Sequence, residues 1–373
     1  MKILLLEAFF TGSHAQWAEE YQSFSRHEVF VLSLSGHFWK WRMHGGAISL
    51  AKRFMASSFE PDLILATDML DLSIFLAATR KRTAHIPTVL YFHENQLTYP
   101  WSPTDADPQL KRDRHYGFIN YSSAMAADAV CFNSHYHREA FLAELPVFLK
   151  AFPDHQELSN VAIIQEKSHV LPLGLNLAAF DAYSPPIKQH KNNPPLILWN
   201  HRWEYDKGPE LFFNTLFQLQ AEALSFELVV LGQGYKKHPA IFHEAQKRLS
   251  SVIVHWGYED DFAKYAQWLW RADVMPVTSV HDFFGVSVVQ ALYCNTYPLL
   301  PRSLAYPEHI PQKYHEAFFY EDEAALFAKL REFIQTYPDK ANMPTQGFVE
   351  QYDWRGLVAA YDGYFEGLSA GDD

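Results

Sequence analysis

The chain has 373 residues, about twice an ordinary domain of roughly 100–200 residues, and its 48% apolar content excludes a disordered polymer. With 16 Gly and 21 Pro it is no collagen-like repeat, and a formal net charge of −12 argues against indiscriminate binding to nucleic acid or anionic membranes.

The chain opens with a short apolar run, Lys2–Leu6, closed by a glycine turn at Gly12-Ser13-His14. Further short runs rich in leucine and β-branched residues follow at Val29–Leu34, Leu63–Ala66, Thr88–Phe92 and Ala129–Phe132. Stretches with apolar spacing near 3.6 separate them, among them Ala15–Phe24 and Ser122–Ala127. Strands alternating with helices predict βαβ units and a parallel sheet. Because the strands are apolar throughout, helices should cover both faces. Residues 184–195 hold four prolines with no apolar period and read as a linker. The pattern then restarts: strands at Leu196–Trp199, Glu227–Leu231, Val252–His255, Val274–Val277 and Tyr297–Leu300, with helices at Pro209–Leu219 and Val286–Tyr293. An amphipathic helix at Leu357–Leu368 ends the chain. The expected organisation is an α/β first domain over 1–182, a Pro-rich linker over 183–195, an α/β second domain over 196–345, and a C-terminal helical segment, 346–373, packing back on the first domain.

Cys131 and Cys294 lie in apolar runs and form no disulfide framework. The first apolar run stops at Glu7 after four residues, short of the roughly 7–15 of a secretory core, and no run approaches about 18 apolar residues. A cytoplasmic protein without membrane association is expected, and nothing indicates a protein partner.

Open α/β sheets bind ligands beyond the carboxyl ends of their strands, so the strand-to-helix turns are the candidate sites. Gly12-Ser13-His14 follows the first strand and opens a helix whose free N–H groups suit an anion. His93-Glu94-Asn95-Gln96 ends the strand Thr88–Phe92 as an acceptor or catalytic cluster. Arg202 and Lys207, just after the first strand of the second domain, can clamp a diphosphate with a fork and a point charge. Asp282 precedes the apolar-glycine turn Phe283-Phe284-Gly285, which opens a helix at Val286, and Gln290 lies on that helix. An acceptor side chain at each end of this segment suits hydroxyl recognition, as in a sugar nucleotide. Asp105-Ala-Asp107 spells an Asp-x-Asp but lies between Pro103 and Pro108 with no strand before it, and His135-Tyr-His137 lacks ligands at metal spacing. No metal is expected.

Two α/β domains, the Arg202…Lys207 pair and the Asp282-to-Gln290 element, which has the spacing of a Glu-x7-Glu with both ends altered, resemble the retaining family 4 glycosyltransferases. The segments Leu5–His14, Leu90–Pro100, His201–Lys207, His281–Gly285 and Leu292–Leu299 further resemble the tRNA-queuosine α-mannosyltransferase family. The resemblance implies a GT-B fold: two doubly wound Rossmann-like domains facing across a cleft. It implies transfer of mannose from GDP-mannose to the cyclopentenediol of queuosine in the anticodon region of tRNA, with retained anomeric configuration and no cofactor. Arg202 and Lys207 would then neutralise the leaving diphosphate. Gly12, Ser13, Gly234, Phe284, Gly285 and Val286 would border the donor, with Asp282 on the sugar hydroxyls and Gln290 on the ribose. His93 would touch the sugar and orient the attacking hydroxyl, and His14, Glu94, Asn95 and Gln96 would line the acceptor side. The donor phosphate serves as base, so no protein nucleophile is assigned. Asp282 in place of Glu retracts the carboxylate by one methylene, which bears on which sugar is taken.

A tRNA partner must be squared with −12. Residues 1–150 hold 14 Lys and Arg against 15 Asp and Glu, net −1, which leaves −11 for the remainder. His37-Phe-Trp-Lys-Trp-Arg-Met-His44 interleaves bases and aromatics as stacking on unpaired nucleotides requires, so Lys40, Trp41 and Arg42 are expected to touch RNA. Arg80-Lys-Arg82 and Lys111-Arg-Asp-Arg-His115 are further phosphate candidates. Two other readings use the same residues: a family 4 enzyme with another sugar or a lipid or glycan acceptor, and an inactive fold that binds a nucleotide or tRNA.

Overall fold

The computed structural model describes residues 1–110, 112–185, 194–234 and 238–370. Its chain divides into two compact units, Met1–Asn176 with Tyr352–Asp373, and Leu177–Gln351.

The first unit carries a six-stranded sheet: β1 (Lys2–Phe10), β2 (Glu28–Ser35), β3 (Leu63–Thr67), β4 (Thr88–Phe92), β5 (Ala129–Phe132) and β6 (Ser168–Val170). Spatial order is β2-β1-β3-β4-β5-β6, and every recorded pairing is parallel. Strands β3, β4 and β5 are buried at every position, because helices cover both faces and leave no polar side of the sheet to pattern. The chain runs outward from β1 to β2 and then in the other direction from β3, so the order reverses at the β1/β3 boundary. That crevice is where a doubly wound sheet receives ligands.

The second unit has β7 (Leu196–Asn200), β8 (Glu227–Leu231), β9 (Ile253–Trp256), β10 (Val274–Pro276), β11 (Tyr297–Pro301) and β12 (Phe319–Tyr320), in the order β12-β11-β10-β7-β8-β9. Its pairings are also parallel, and its order reverses between β7 and β10. Both domains are therefore doubly wound α/β, as the strand–helix alternation predicts.

The first unit ends at Asn176 rather than 182, because the turn Leu177–Tyr183 is tied into the second: Phe180 O accepts from Trp270 Nε1 at 2.9 Å and Asp181 from the Tyr293 hydroxyl at 3.0 Å. Residues 346–351 stay with the second unit, where Gln346 N donates to Asn295 Oδ1 at 3.0 Å. The C-terminal helix Trp354–Ser369 belongs to the first. Its Asp362 accepts from the Tyr21 hydroxyl (3.0 Å), Ser25 Oγ (2.7 Å) and Arg26 N (3.0 Å), and its Tyr361 hydroxyl meets that of Tyr91 at 3.1 Å. Trp354 lies against Gly174 so closely that a Cβ there would sit 2.3 Å from the indole. Of the expected linker, residues 186–193 lie outside the described residues, as does Lys111 of one phosphate candidate. No described helix is long and apolar enough to cross a membrane.

Candidate functional site

In the second unit the switch point brings together residues about 75 positions apart. After β7 the chain turns through Tyr205–Lys207 into Gly208, whose φ of +61° and 2.2 Å approach to Thr278 O from a built Cβ admit only glycine. That turn delivers Lys207 to the loop after β10. Its ammonium lies 3.1 Å from Asp206 and 3.5 Å from Asp282, and donates to His281 O at 2.9 Å. Asp282 also accepts from the Tyr306 hydroxyl at 2.8 Å. Burial works against both charges, yet Asp282 and Asp206 raise the pKa of Lys207, and Lys207, His201 and the Tyr306 hydroxyl lower that of Asp282, so the pair stays ionised. The same buried cation holds the neighbouring imidazoles neutral: burial and Lys207 push His201 and His281 down to about 4.

Beside this pair, Gly285 (φ +84°) caps the helix Val286–Tyr293 and passes within 2.9 Å of the Tyr306 ring, measured from a built Cβ. The first amides of that helix are an anion-binding group. Arg202 is half-exposed, 3.1 Å from Glu204. Gly234 lies beside the Trp203 ring, and Phe284 is buried with its carbonyl against His309 Nε2 at 2.6 Å. Gln290 is not an open acceptor: its Oε1 takes the Tyr265 hydroxyl at 2.7 Å, and that hydroxyl accepts from Asn200 Nδ2 at 2.9 Å. Gln290 therefore ties the helix to β7, a position where an amide serves as well as a carboxylate.

In the first unit the switch point gathers acids. Glu7 of β1 is fully buried, with Oε1 accepting from Phe9 N at 2.7 Å and Oε2 3.1 Å from His14 Nδ1. His14 sits in the first turn of the helix Gly12–Phe24, behind the exposed Ser13 and the φ +51° of Gly12. Burial lowers the pKa of His14, but the carboxylates of Glu7, Asp68 and Glu94 outweigh it and raise it to about 9. His93, just after β4, lies against His14 with ring centroids 4.3 Å apart and the rings tilted by 39°, and burial with the His14 charge pushes its pKa well down. Asp68, directly after β3, accepts from the His93 amide at 2.8 Å and from the Glu94 amide at 3.4 Å. The first unit thus holds a cationic His14 beside a neutral His93.

Glu7, His14 and His93 are the one described grouping of three whose ligand atoms lie within 4.8 Å of one another. Glu7 and His14 are already committed to each other as an ion pair. Glu94 Oε1 accepts from Gln96 Nε2 at 2.9 Å, both half-buried. Asn95 faces inward instead of toward an acceptor: its Oδ1 accepts from the amides of Leu97 and Thr98, both at 3.0 Å, forming the turn itself.

The basic-aromatic patch is reassigned in part. Lys40 is pinned by Asp105 (2.7 Å) and Asp107, over the rings of Trp39, Trp101 and Tyr116. The Asp-x-Asp is thus a clamp for a lysine. Arg42 donates to Ser35 O at 3.0 Å, and Arg82 to the carbonyls of Phe54, Ser57 and Phe59, so these charges are also engaged. Trp41 remains 64% exposed and its neighbour Phe38 78% exposed. Sequence reasoning missed Glu7, Asp68, Asp206, Tyr265 and Tyr306. A lone acid inside the apolar run Ile3–Phe10 was the signal for Glu7, and an acid closing the buried run Leu63–Thr67 the signal for Asp68.

Comparison with known proteins agrees with this division. The family described as tRNA-queuosine alpha-mannosyltransferase N-terminal matches residues 2–175, and glycosyl transferases group 1 matches residues 183–347. The chain is 31% identical over 344 residues to the tRNA-queuosine alpha-mannosyltransferase of Drosophila melanogaster, covering 89% of this chain and 87% of that protein. Among solved structures it resembles a sucrose-phosphate synthase from Thermosynechococcus elongatus (TM-score 0.74, 13% identity, 100% of both chains). It also resembles Anabaena HepE in complex with UDP and glucose (TM-score 0.68, 17% identity, 98% of this chain and 100% of that one).

Proposed function

The chain belongs to the tRNA-queuosine alpha-mannosyltransferase family and is a glycosyltransferase of GT-B fold; from that premise we propose that it transfers mannose from GDP-mannose to the cyclopentenediol of queuosine in tRNA, with retention at the anomeric carbon. The observation that carries the donor half is Lys207, a cation fixed by two carboxylates at the switch point of the second unit, with Arg202 and the open turn of Gly285 beside it. As the glycosidic bond breaks, negative charge builds on the diphosphate, and prearranged cations and amides stabilise it without reorganising. We assign that neutralisation to these groups and propose no metal. Asp282, oriented by Lys207 and Tyr306, receives the sugar hydroxyls. His93, kept neutral beside the His14 cation, retains a lone pair for the attacking hydroxyl. No side chain is assigned as nucleophile.

The first unit takes the acceptor. With Lys40 and Arg42 engaged, contact with the anticodon region falls to Phe38 and Trp41, whose exposed rings suit stacking on unpaired bases. Cys131 and Cys294 are buried free thiols, and burial pushes that of Cys131 up to about 12, which fits a cytoplasmic setting.

The test is mass analysis of nucleosides from queuosine-bearing tRNA incubated with the protein and GDP-mannose. A hexose added to queuosine is expected, lost in Asp282→Asn, where Lys207 keeps Asp206 as partner. Unmodified queuosine with the folded wild-type protein, or full transfer by folded Asp282→Asn, overturns the assignment.

A further inference from the structure

Two neighbouring residues at the end of β7 hold one serine of the second unit. Asn200 Nδ2 donates to Ser287 O at 3.4 Å, and His201 Nδ1 lies 3.1 Å from Ser287 Oγ. Ser287 is half-buried in the first turn of the helix Val286–Tyr293. Bonding within that turn starts at Val288, whose amide donates to Gly285 O at 3.0 Å, so the amides of Val286 and Ser287 precede it as anion-binding donors. His201 is 5% exposed, and the Trp199 indole N–H fixes its backbone by donating to its carbonyl at 2.9 Å. Its Nε2 is buried without a hydrogen-bond partner among the described residues. Burial and the Lys207 charge keep the ring neutral.

A neutral imidazole has one N–H and one bare nitrogen. With the proton on Nε2, Nδ1 would accept from the serine and a buried N–H would be stranded, which costs its full desolvation. With the proton on Nδ1, the ring donates to Ser287 Oγ, the bare nitrogen is the buried one, and no donor is stranded. The serine proton is then left to face the ligand side of the turn. A hydroxyl oxygen that already accepts an N–H is also polarised toward donating.

We propose that Ser287 is a further donor-binding residue, its hydroxyl donating to the sugar-bearing phosphate of a nucleoside diphosphate sugar, and that His201 is the positioning residue that turns it there. Lys207 supplies a point charge and the first amides a dipole, whereas Ser287 adds a directed hydrogen bond to an oxygen whose charge grows as the leaving group departs. The contact falls on the sugar-bearing phosphate because His201 stands in the fields of Lys207 and Asp282, the pair assigned to that end of the donor. The inference rests on the reading of the second unit as the donor side.

Calorimetric titration of the full chain with GDP and with GMP tests it, since GMP lacks the terminal phosphate. Ser287→Ala should weaken GDP about tenfold, as for one hydrogen bond to a charged group, and leave GMP unchanged. Ser287→Thr keeps the hydroxyl and should keep GDP affinity. His201→Phe, which retains a ring against Trp199, should weaken GDP by a similar factor, yet add nothing further in the Ser287→Ala background. His201→Asn, whose amide can donate from near the Nδ1 position, should restore most of the affinity. A merely structural ring would not show that dependence on Ser287. Undiminished GDP binding by folded Ser287→Ala, or equal losses for GDP and GMP, overturns the inference, and additive losses in the double variant overturn the role of His201. Should His201→Phe fail to fold, His201→Asn with and without Ser287→Ala carries the same comparison. A wild-type chain that binds GDP with this dependence on Ser287 but transfers no sugar to queuosine-bearing tRNA would overturn the functional reading instead, so the two failures are distinguishable.

Discussion

Both sheets reverse their strand order once, and both collect charged residues there, yet around different cations: a lysine in one and a histidine in the other. In the second unit the centre is a buried lysine flanked by two aspartates, with an exposed arginine and the start of a helix beside it. In the first the centre is a set of carboxylates around one histidine cation, with the φ +51° turn of Gly12 alongside. The same topological position therefore presents chemically different groups: an ammonium and a guanidinium in one unit, imidazoles among carboxylates in the other. On the function proposed above, a diphosphate would be met by Lys207 and Arg202, and an acceptor hydroxyl by His93. Fold alone does not make this distinction; the side chains at the strand ends do.

The sharpest way to break the comparison is at Arg202 and Lys207. Arg202→Ala removes a half-exposed group and should leave the melting temperature within a degree or two. Transfer should fall by about 10²–10³ in kcat, the usual loss for one charge-stabilising group. Lys207→Ala should differ: it loses transfer and also leaves Asp206 and Asp282 buried against each other, at a cost of about 3–5 kcal/mol in stability. Chemical denaturation of the two variants separates these outcomes. Equal stability would mean that Lys207 is not the counter-charge of this site.

The His14–Glu7 pair of the first unit is tested through pH. His14 has its pKa raised in the folded state to about 9 from an ordinary 6.5, so its pairing stabilises fully below about pH 6.5 and is lost as pH rises through 9. Glu7→Gln removes the main source of that shift, leaving burial to push His14 toward neutrality. The stability gap between wild type and Glu7→Gln should therefore be about 2–3 kcal/mol near pH 6 and narrow steadily toward pH 10. A gap independent of pH would show that Glu7 acts through packing alone.

How far the sequence discloses such a site depends on distance along the chain. The strands were legible because burial on both faces leaves unbroken apolar runs; Thr88–Phe92 and Glu227–Leu231 are found at their expected bounds. The turn residues Gly12, His93, Lys207 and Asp282 were legible too, since each lies within seven residues of a strand's carboxyl end. The helix Trp39–Ala56 was not, because two glycines and alternating bases and aromatics blur its period, and its start read as a nucleic-acid patch. Pairings between distant segments were equally hidden. Nothing near Lys40 shows that Asp105 and Asp107 hold it, and nothing near Lys207 shows that Asp282 comes within 3.5 Å. Likewise, nothing near Gln290 shows that the Tyr265 hydroxyl, itself held by Asn200, donates to its Oε1. Local pattern gives the element and the strand end, while the division of labour among polar groups is settled by contacts 25 to 75 residues away.

The smallest expected effect concerns the segment His37–His44 of the first unit, where bases and aromatic rings alternate in sequence but part company in the fold. Phe38 adopts φ +59°, ψ +54°, a left-handed conformation that is uncommon for a bulky residue, and its ring is nonetheless exposed. Trp41, one turn on, lies over Gly45, where a built Cβ would come within 2.7 Å of the indole. Two apolar rings are thus held outward while the neighbouring bases are engaged with the protein. If the rings stack on unpaired nucleotides, each contributes about 1–3 kcal/mol, and that contribution does not release counterions. Phe38→Ala and Trp41→Ala should each weaken tRNA binding by about tenfold while leaving the slope of log affinity against log salt unchanged. Lys40→Ala should act differently, lowering the melting temperature by freeing the Asp105–Asp107 loop and leaving the salt slope intact. A slope that drops by about one unit in Lys40→Ala would return the lysine to the phosphate backbone and the patch to its electrostatic reading.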